Sequence, residues 1–261
     1  DPVRKMLIGS YFTHEYSIES AAFFNPSIVD DPDQSDLQEG EKRLIISFRA
    51  VGEGHISSIV FRRALLDIHN NITIGTAGPL IEEADIIKNT VYKKEIFGTA
   101  FLSQVHNEII DRLEENLPDS FDYKTLKKAI NDLKLKDLND NTKYTFEKIL
   151  WLADSYHYVH FSLDTDIADR VIFPISEFEK KGVEDARFVK FIDDNKSVHY
   201  YATYTAYDGT DIKPKLLQTD NFYDFHVTPL YGSGAKNKNL ALFPRKINGN
   251  YVMISRIDGV N

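Results

Sequence analysis

The sequence predicts a mainly β protein interrupted by a helical block. Short runs rich in β-branched and aromatic residues occupy residues 1–83 and 156–261, a composition that fits a pleated, half-buried surface. Asp208-Gly209 and Asn248-Gly249 fall between such runs, and Asp-Gly and Asn-Gly are the strongest short hairpin signals a sequence carries. Between about 84 and 155 apolar residues instead recur every four positions, the spacing of an amphipathic helix. The 261 residues suffice to bury a sizeable core, as one large domain or two small ones.

Along the chain, Ser20–Val29 reads as a strand that the breaker Asp30-Asp31-Pro32-Asp33 stops. The acidic stretch Asp31–Asp36 lacks the Gly and Glu of a calcium loop and reads as a solvated turn. Leu44–Arg49 and Ser58–Phe61 are further strands, with Gly52 and Gly54 punctuating the turn between them. Phe97, Phe101, Val105, Ile109, Leu113 and Leu117 line one helix, which Pro118 ends. Ser120 is the expected cap of a second helix bearing Tyr123, Leu126, Ile130 and Leu133, and a third carries Tyr144, Phe146, Ile149, Leu150 and Leu152. Strands return at Val189–Ile192, Val198–Ala206, Leu240–Phe243 and Tyr251–Ile254, with Asp193-Asp194-Asn195 as a turn. Short antiparallel strands at this spacing fit a barrel, a sandwich or propeller blades.

Composition removes several functions. Hydrophobic residues at 42% and charged residues at 27% are globular values. A net charge of −9 disfavours binding to a nucleic-acid backbone. The absence of cysteine excludes disulfides, thiolate metal sites and a thiol nucleophile. The eight histidines show no ligand spacing, and His106-Asn107-Glu108 lacks the second His of a metalloprotease helix, so no metal is expected. No apolar run reaches a membrane span and no signal-peptide pattern opens the chain, so a cytoplasmic location is expected. The first residue is Asp, which leads us to expect numbering that starts inside a longer product.

Four spots set polar residues against apolar strands, where burial is costly without a partner. Asn25, in Phe23-Phe24-Asn25-Pro26-Ser27, is either a hydrogen-bond partner for a ligand hydroxyl or a turn former. Arg49, ending an apolar strand, either forks onto ligand oxygens or snorkels to water. Glu184, Asp185 and Arg187 precede a strand, as a general acid with its neighbours or as a surface ion pair. Asn237-Lys238-Asn239 and Arg256-Ile257-Asp258-Gly259 flank a predicted hairpin that can bring Lys238 and Arg256 together, as an anion site or as solvated loop charge.

In this order, the four spots resemble glycoside hydrolase family 130, the β-mannoside phosphorylases and their hydrolytic relatives. Phe-Asn-Pro-Ser at 24–27, Phe-Arg-Ala at 48–50, Val-Glu-Asp-Ala-Arg at 183–187, Tyr-Thr-Ala-Tyr-Asp at 204–208, Leu-Phe-Pro at 242–244 and Arg-Ile-Asp-Gly at 256–259 carry the resemblance. It covers about 20–80 and 170–261, with the helical stretch as an insertion. It implies a five-bladed β-propeller with an α-helical insertion, divided as blades over 1–83, insertion over 84–155 and blades over 156–261. It also implies that these residues are the N-terminal part of a longer chain. It further implies inverting cleavage of a terminal β-mannosidic bond, with Asp185 as the acid that protonates the leaving oxygen through a sugar hydroxyl. Asn25, Arg49, Arg187 and Asp258 are the implied sugar-binding residues. Lys238, Asn239 and Arg256 are the implied phosphate holders, Lys238 standing where an Arg is common. No cofactor is implied beyond inorganic phosphate as co-substrate, and a homo-oligomer is left open. A hydrolase of the same family and a non-catalytic carbohydrate-binding paralogue are the alternatives.

Overall fold

The computed structural model describes residues 2–12, 16–78, 80–88, 91–94, 108–133, 140–232 and 234–256. Asp258 and the helix positions Phe97, Phe101, Val105 and His106 lie outside the described residues. A helix α1 (Pro2–Phe12) precedes the first meander, β1 (Ala22–Asp30), β2 (Lys42–Val51) and β3 (Ser57–Leu66). Short strands follow: β4 (Ile72–Ile74), β5 (Glu82–Glu83), β6 (Asp85–Lys88) and β7 (Tyr92–Lys93). The helical stretch comprises α2 (Glu108–Asn116), β8 (Ser120–Phe121), α3 (Tyr123–Leu133) and α4 (Asp140–Ala153). After it come β9 (His157–His160) and β10 (Arg170–Ile172). The second meander is β11 (Gly182–Ile192), β12 (Val198–Tyr207), β13 (Ile212–Thr219) and β14 (Asp224–Pro229). The hairpin β15 (Ala241–Leu242) and β16 (Met253–Ile254) closes the described chain.

The protein is mainly β. Twelve strands form one mixed sheet in the order β1-β2-β3-β11-β12-β13-β14-β9-β6, with β4 and β10 on β3 and β5 on β10. Among the described residues these strands make two antiparallel meanders set side by side. Their seam is one parallel contact between β3 and β11, Gly182 opposite Ser57. Gly182 has φ +132, and a Cβ there would meet the Ser57 Cβ and amide N at 2.8 Å. Only glycine permits that approach without strain.

One core lies along the sheet. Phe61, Phe188, Phe222 and Phe225 pack with ring centroids 5.6–6.1 Å apart in tilted, edge-on and stacked pairs. Burying one such ring fully stabilises by about 1.5–3 kcal/mol. A second core belongs to the helical stretch and gathers Leu113, Leu117, Leu126, Ile130, Phe146 and Ile149. It meets the rest of the chain through Phe178 and Tyr156. Beside the sheet core, Lys215 Nζ lies 2.8 Å from Glu179 Oε1 with both side chains fully buried, and the Tyr204 hydroxyl donates to the same carboxylate oxygen at 2.9 Å.

Three local expectations change. Asp122, not Ser120, caps α3 by accepting from the Thr125 amide at 2.7 Å, because Ser120 is already paired in β8. Asp31 is not solvated: it is buried and accepts from Arg63 Nε at 2.9 Å. The 183–187 segment does not precede a strand but lies inside β11, which starts at Gly182.

Candidate active site

Two β-bulges build the site. In β1 the register slips between Phe24 and Ser27 against Arg49 and Ser47 of β2. In β11 it slips between Glu184 and Arg187 against Thr205 and Thr203 of β12. Each bulge sets two residues against one, and each turns one non-glycine residue left-handed: Asn25 at φ +53 and Asp185 at φ +56. Asn and Asp tolerate this conformation better than bulkier residues. Pro26 is accommodated because β1 is an edge strand and needs no donor there. The two bulges therefore present Asn25 and Asp185 from equivalent places in the two meanders.

The seam brings them together. Ser27 Oγ accepts from the Phe188 amide at 2.8 Å, tying β1 to β11. Asn25 Nδ2 then donates to Asp185 Oδ1 at 2.5 Å, across 160 positions of sequence. Arg49 Nη1 reaches the same oxygen at 3.4 Å. Both contacts fall on Oδ1, which leaves Oδ2 for a ligand. Arg49 is held from its other atoms: Nε donates to Ser57 Oγ at 2.9 Å and Nη2 to Glu184 Oε1 at 2.7 Å. Its guanidinium also lies 5.0 Å from the Phe24 ring centroid, a cation–π contact.

Glu184 is the residue that sequence reasoning did not assign. It is buried, and its second oxygen accepts from Lys238 Nζ at 2.6 Å. One carboxylate thus fixes both Arg49 and Lys238, in short charge-assisted bonds. The usable signal was a pair of adjacent acids: along a strand they face opposite ways, so one points inward to bind cations while its neighbour is presented outward. Lys238 Nζ also sits 5.4 Å from the Tyr207 ring centroid and keeps part of its surface exposed. Arg187 Nη2 donates to Asn239 Oδ1 at 3.2 Å. The β15–β16 register pairs Ala241 with Ile254, so Arg256, two residues past β16, runs on toward Asn239, two residues before β15. Its side chain is exposed.

Asn25, Arg49, Asp185, Arg187, Lys238 and Asn239 are therefore linked by contacts through Glu184 and the bulges, and Arg256 approaches by register. Local charge runs opposite to the whole: Arg49, Arg187 and Lys238 outnumber Glu184 and Asp185, against −9 for the chain. Asp185 also lines a narrow cleft with Thr203, Tyr204, Thr205, Pro214 and Asn239. A far larger cavity, about 650 Å3, lies beside it under α4. Convergent polar groups, not volume, mark the reactive position.

A family model described as beta-1,4-mannooligosaccharide phosphorylase, that of glycoside hydrolase family 130, matches residues 137–261. Over these residues, just under half of its length, the chain is similar to glycoside hydrolase family 130. The family match covers β11, β12 and the 237–239 loop, so it takes in Glu184, Asp185, Arg187, Lys238 and Asn239. A β-1,2-mannobiose phosphorylase from Listeria innocua serovar 6a (strain ATCC BAA-680 / CLIP 11262) is 25% identical over 183 residues, 68% of this chain and 44% of that protein. The chain thus matches less than half the length of that relative. A solved structure of the β-1,2-mannobiose phosphorylase from Listeria innocua in complex with β-1,2-mannobiose aligns over 91% of this chain and 60% of that one, with a TM-score of 0.32 and 17% identity. That superposition is too loose to bear on the number of blades.

Proposed function

We propose that this chain belongs to glycoside hydrolase family 130 and carries the catalytic acid and the co-substrate side of an inverting β-mannoside phosphorylase, within a propeller of which the two meanders are neighbouring blades and the helical stretch an insertion. The observation that carries the reading is the convergence on Asp185: two segments about 136 and 160 positions away, Arg49 and Asn25, both bind its Oδ1.

In this reading Asn25 and Arg49 orient Asp185 and the terminal mannosyl unit, and Oδ2 faces the substrate. Asp185 gives its proton to a sugar hydroxyl, which in turn protonates the leaving glycosidic oxygen. A phosphate oxygen attacks the anomeric carbon from the opposite face as the bond to that oxygen breaks. The products are the shortened saccharide, bearing the new hydroxyl, and mannose 1-phosphate with inverted configuration. Lys238, Asn239 and Arg256 hold the phosphate. Glu184 takes one of the three ammonium hydrogens of Lys238, so the cation is positioned and still has donors to offer. Arg187 and Asp258 complete the sugar contacts.

Hydrolysis is the second reading. The engagement of Lys238 by Glu184 favours it, since that carboxylate offsets the charge a phosphate would seek. Hydrolysis with inversion needs a second carboxylate about 6.5–9.5 Å from the acid to activate water. Glu184 is unsuited, because Arg49 and Lys238 occupy both of its oxygens. Turnover of mannobiose with phosphate omitted separates the two readings: phosphorolysis stops and hydrolysis continues unchanged.

A further inference from the structure

The cavity of about 650 Å3 opens between one face of α4, the turn joining β12 to β13, and the 230–236 loop. We propose that it is a binding subsite for the distal units of an oligosaccharide, on the leaving-group side of Asp185, an inference that rests on the mannoside reading above.

Its lining has the chemistry of a sugar site. Tyr144 and Trp151 stand seven residues apart on α4, hence on one face, and Phe178 and Tyr231 also line the cavity. A pyranose ring offers apolar C–H faces that dock on such rings and hydroxyls that need polar neighbours. The charged groups supply those neighbours and cancel: Glu147, Asp208 and Asp211 against Lys148, Lys213 and Lys236. A neutral lining of this kind suits a neutral polyol and gives no net field to gather phosphate. Three of the charged groups hold one another in place. Lys213 Nζ pairs with Asp208 at 3.1 Å and Asp211 at 3.6 Å, and lies 4.6 Å from the Phe178 ring centroid and 6.0 Å from that of Trp151.

The cavity adjoins the reactive position. Pro214 lines both it and the cleft at Asp185. The loop that gives Lys236 to the cavity runs directly into Lys238 and Asn239 of the site. Tyr207, under Lys238, precedes Asp208 of the cavity wall. A saccharide with its terminal unit at Asp185 therefore extends over Pro214 toward Trp151, and the helical stretch supplies one wall of its path.

Trp151 is the sole tryptophan of the chain, so emission excited beyond tyrosine absorption comes from a residue in the cavity wall. The test titrates the Asp185→Asn protein with mannobiose and mannotetraose of β-1,2 and β-1,4 linkage, and measures turnover of the same sugars by wild type. The subsite predicts that a tetraose changes the Trp151 emission and that the corresponding biose changes it far less. Tyr144→Ala, at a position 63% exposed, should weaken tetraose binding roughly three- to tenfold, the size of one lost aromatic contact, and leave biose turnover unchanged. Lys236→Ala is the second variant should the first perturb folding. Tetraose turnover with unchanged emission, and equal effects of Tyr144→Ala on biose and tetraose, would overturn the subsite and spare the mannoside reading. An emission response without turnover would uphold the subsite and overturn that reading. No response and no turnover would overturn both.

Discussion

Asp185 sits in a left-handed bulge with its Oδ1 held by Asn25 and Arg49. A carboxyl so fixed delivers its proton along one direction, which is what general acid catalysis requires. Asp185→Asn should therefore lose about 10²–10⁴-fold in turnover with the fold kept. A loss below tenfold, measured alongside an unchanged thermal midpoint, would remove Asp185 from the role. Lys238→Ala should raise the apparent KM for phosphate more than that for the sugar, and equal rises would make Lys238 structural. Both residues are given roles by the sequence motifs. Glu184 stands in the same motif without a role, because a strand's inward carboxylate can be told from its outward neighbour only once the bulge and the facing cations are known. Asp258, which the motifs also name, lies outside the described residues.

At the scale of elements, the seam between β3 and β11 decides the geometry. Gly182 lets β11 approach Ser57, and Ser57 Oγ holds Arg49 Nε, so one close approach positions the residue that grips both acids. Gly182→Ala should cost more than about 1 kcal/mol, read from the urea midpoint, because a side chain there is strained as well as crowded. Turnover should fall with it. Unchanged stability would show that the seam can yield. The strands of the first meander and the hairpins at 208–209 and 248–249 were legible from apolar runs and turn residues. The start of β11 was not. The two acids read as lying ahead of the strand because nothing in the sequence shows that a partner strand fills the space beside Gly182. Strands β9, β13 and β14 were missed for a related reason. Segments such as Ile212–Thr219 mix Lys and Pro with leucines, and their burial is set by neighbours distant in sequence.

For the whole molecule, stability rests on two cores and a few buried charges. Burial pushes the Glu179 carboxyl up, but the Lys215 ammonium, the Ile175 amide and the Tyr204 hydroxyl together more than offset it, so Glu179 stands below the usual carboxylate range. Asp224 is held at about 2, chiefly because the Tyr158 hydroxyl donates to it, with Asn221 and His160 adding to oppose partial burial. Both carboxyls are thus depressed in the folded state. The stability they contribute is present above their unfolded values near 4 and is lost as the pH falls through the folded ones. Acid unfolding should steepen between about pH 4 and 2, and Asp224→Asn should flatten it. Lys215→Met strands a buried carboxylate and should cost about 3–5 kcal/mol, while Lys215→Met with Glu179→Leu should recover most of that. A double variant no more stable than the single one would contradict the pairing.

Phosphorolysis at Asp185 is tested by incubating the protein with β-1,2- or β-1,4-mannobiose, with and without inorganic phosphate, and assaying mannose 1-phosphate. Mannose 1-phosphate should form only when phosphate is present, and should disappear in Asp185→Asn. Free mannose released at the same rate without phosphate would rule phosphorolysis out.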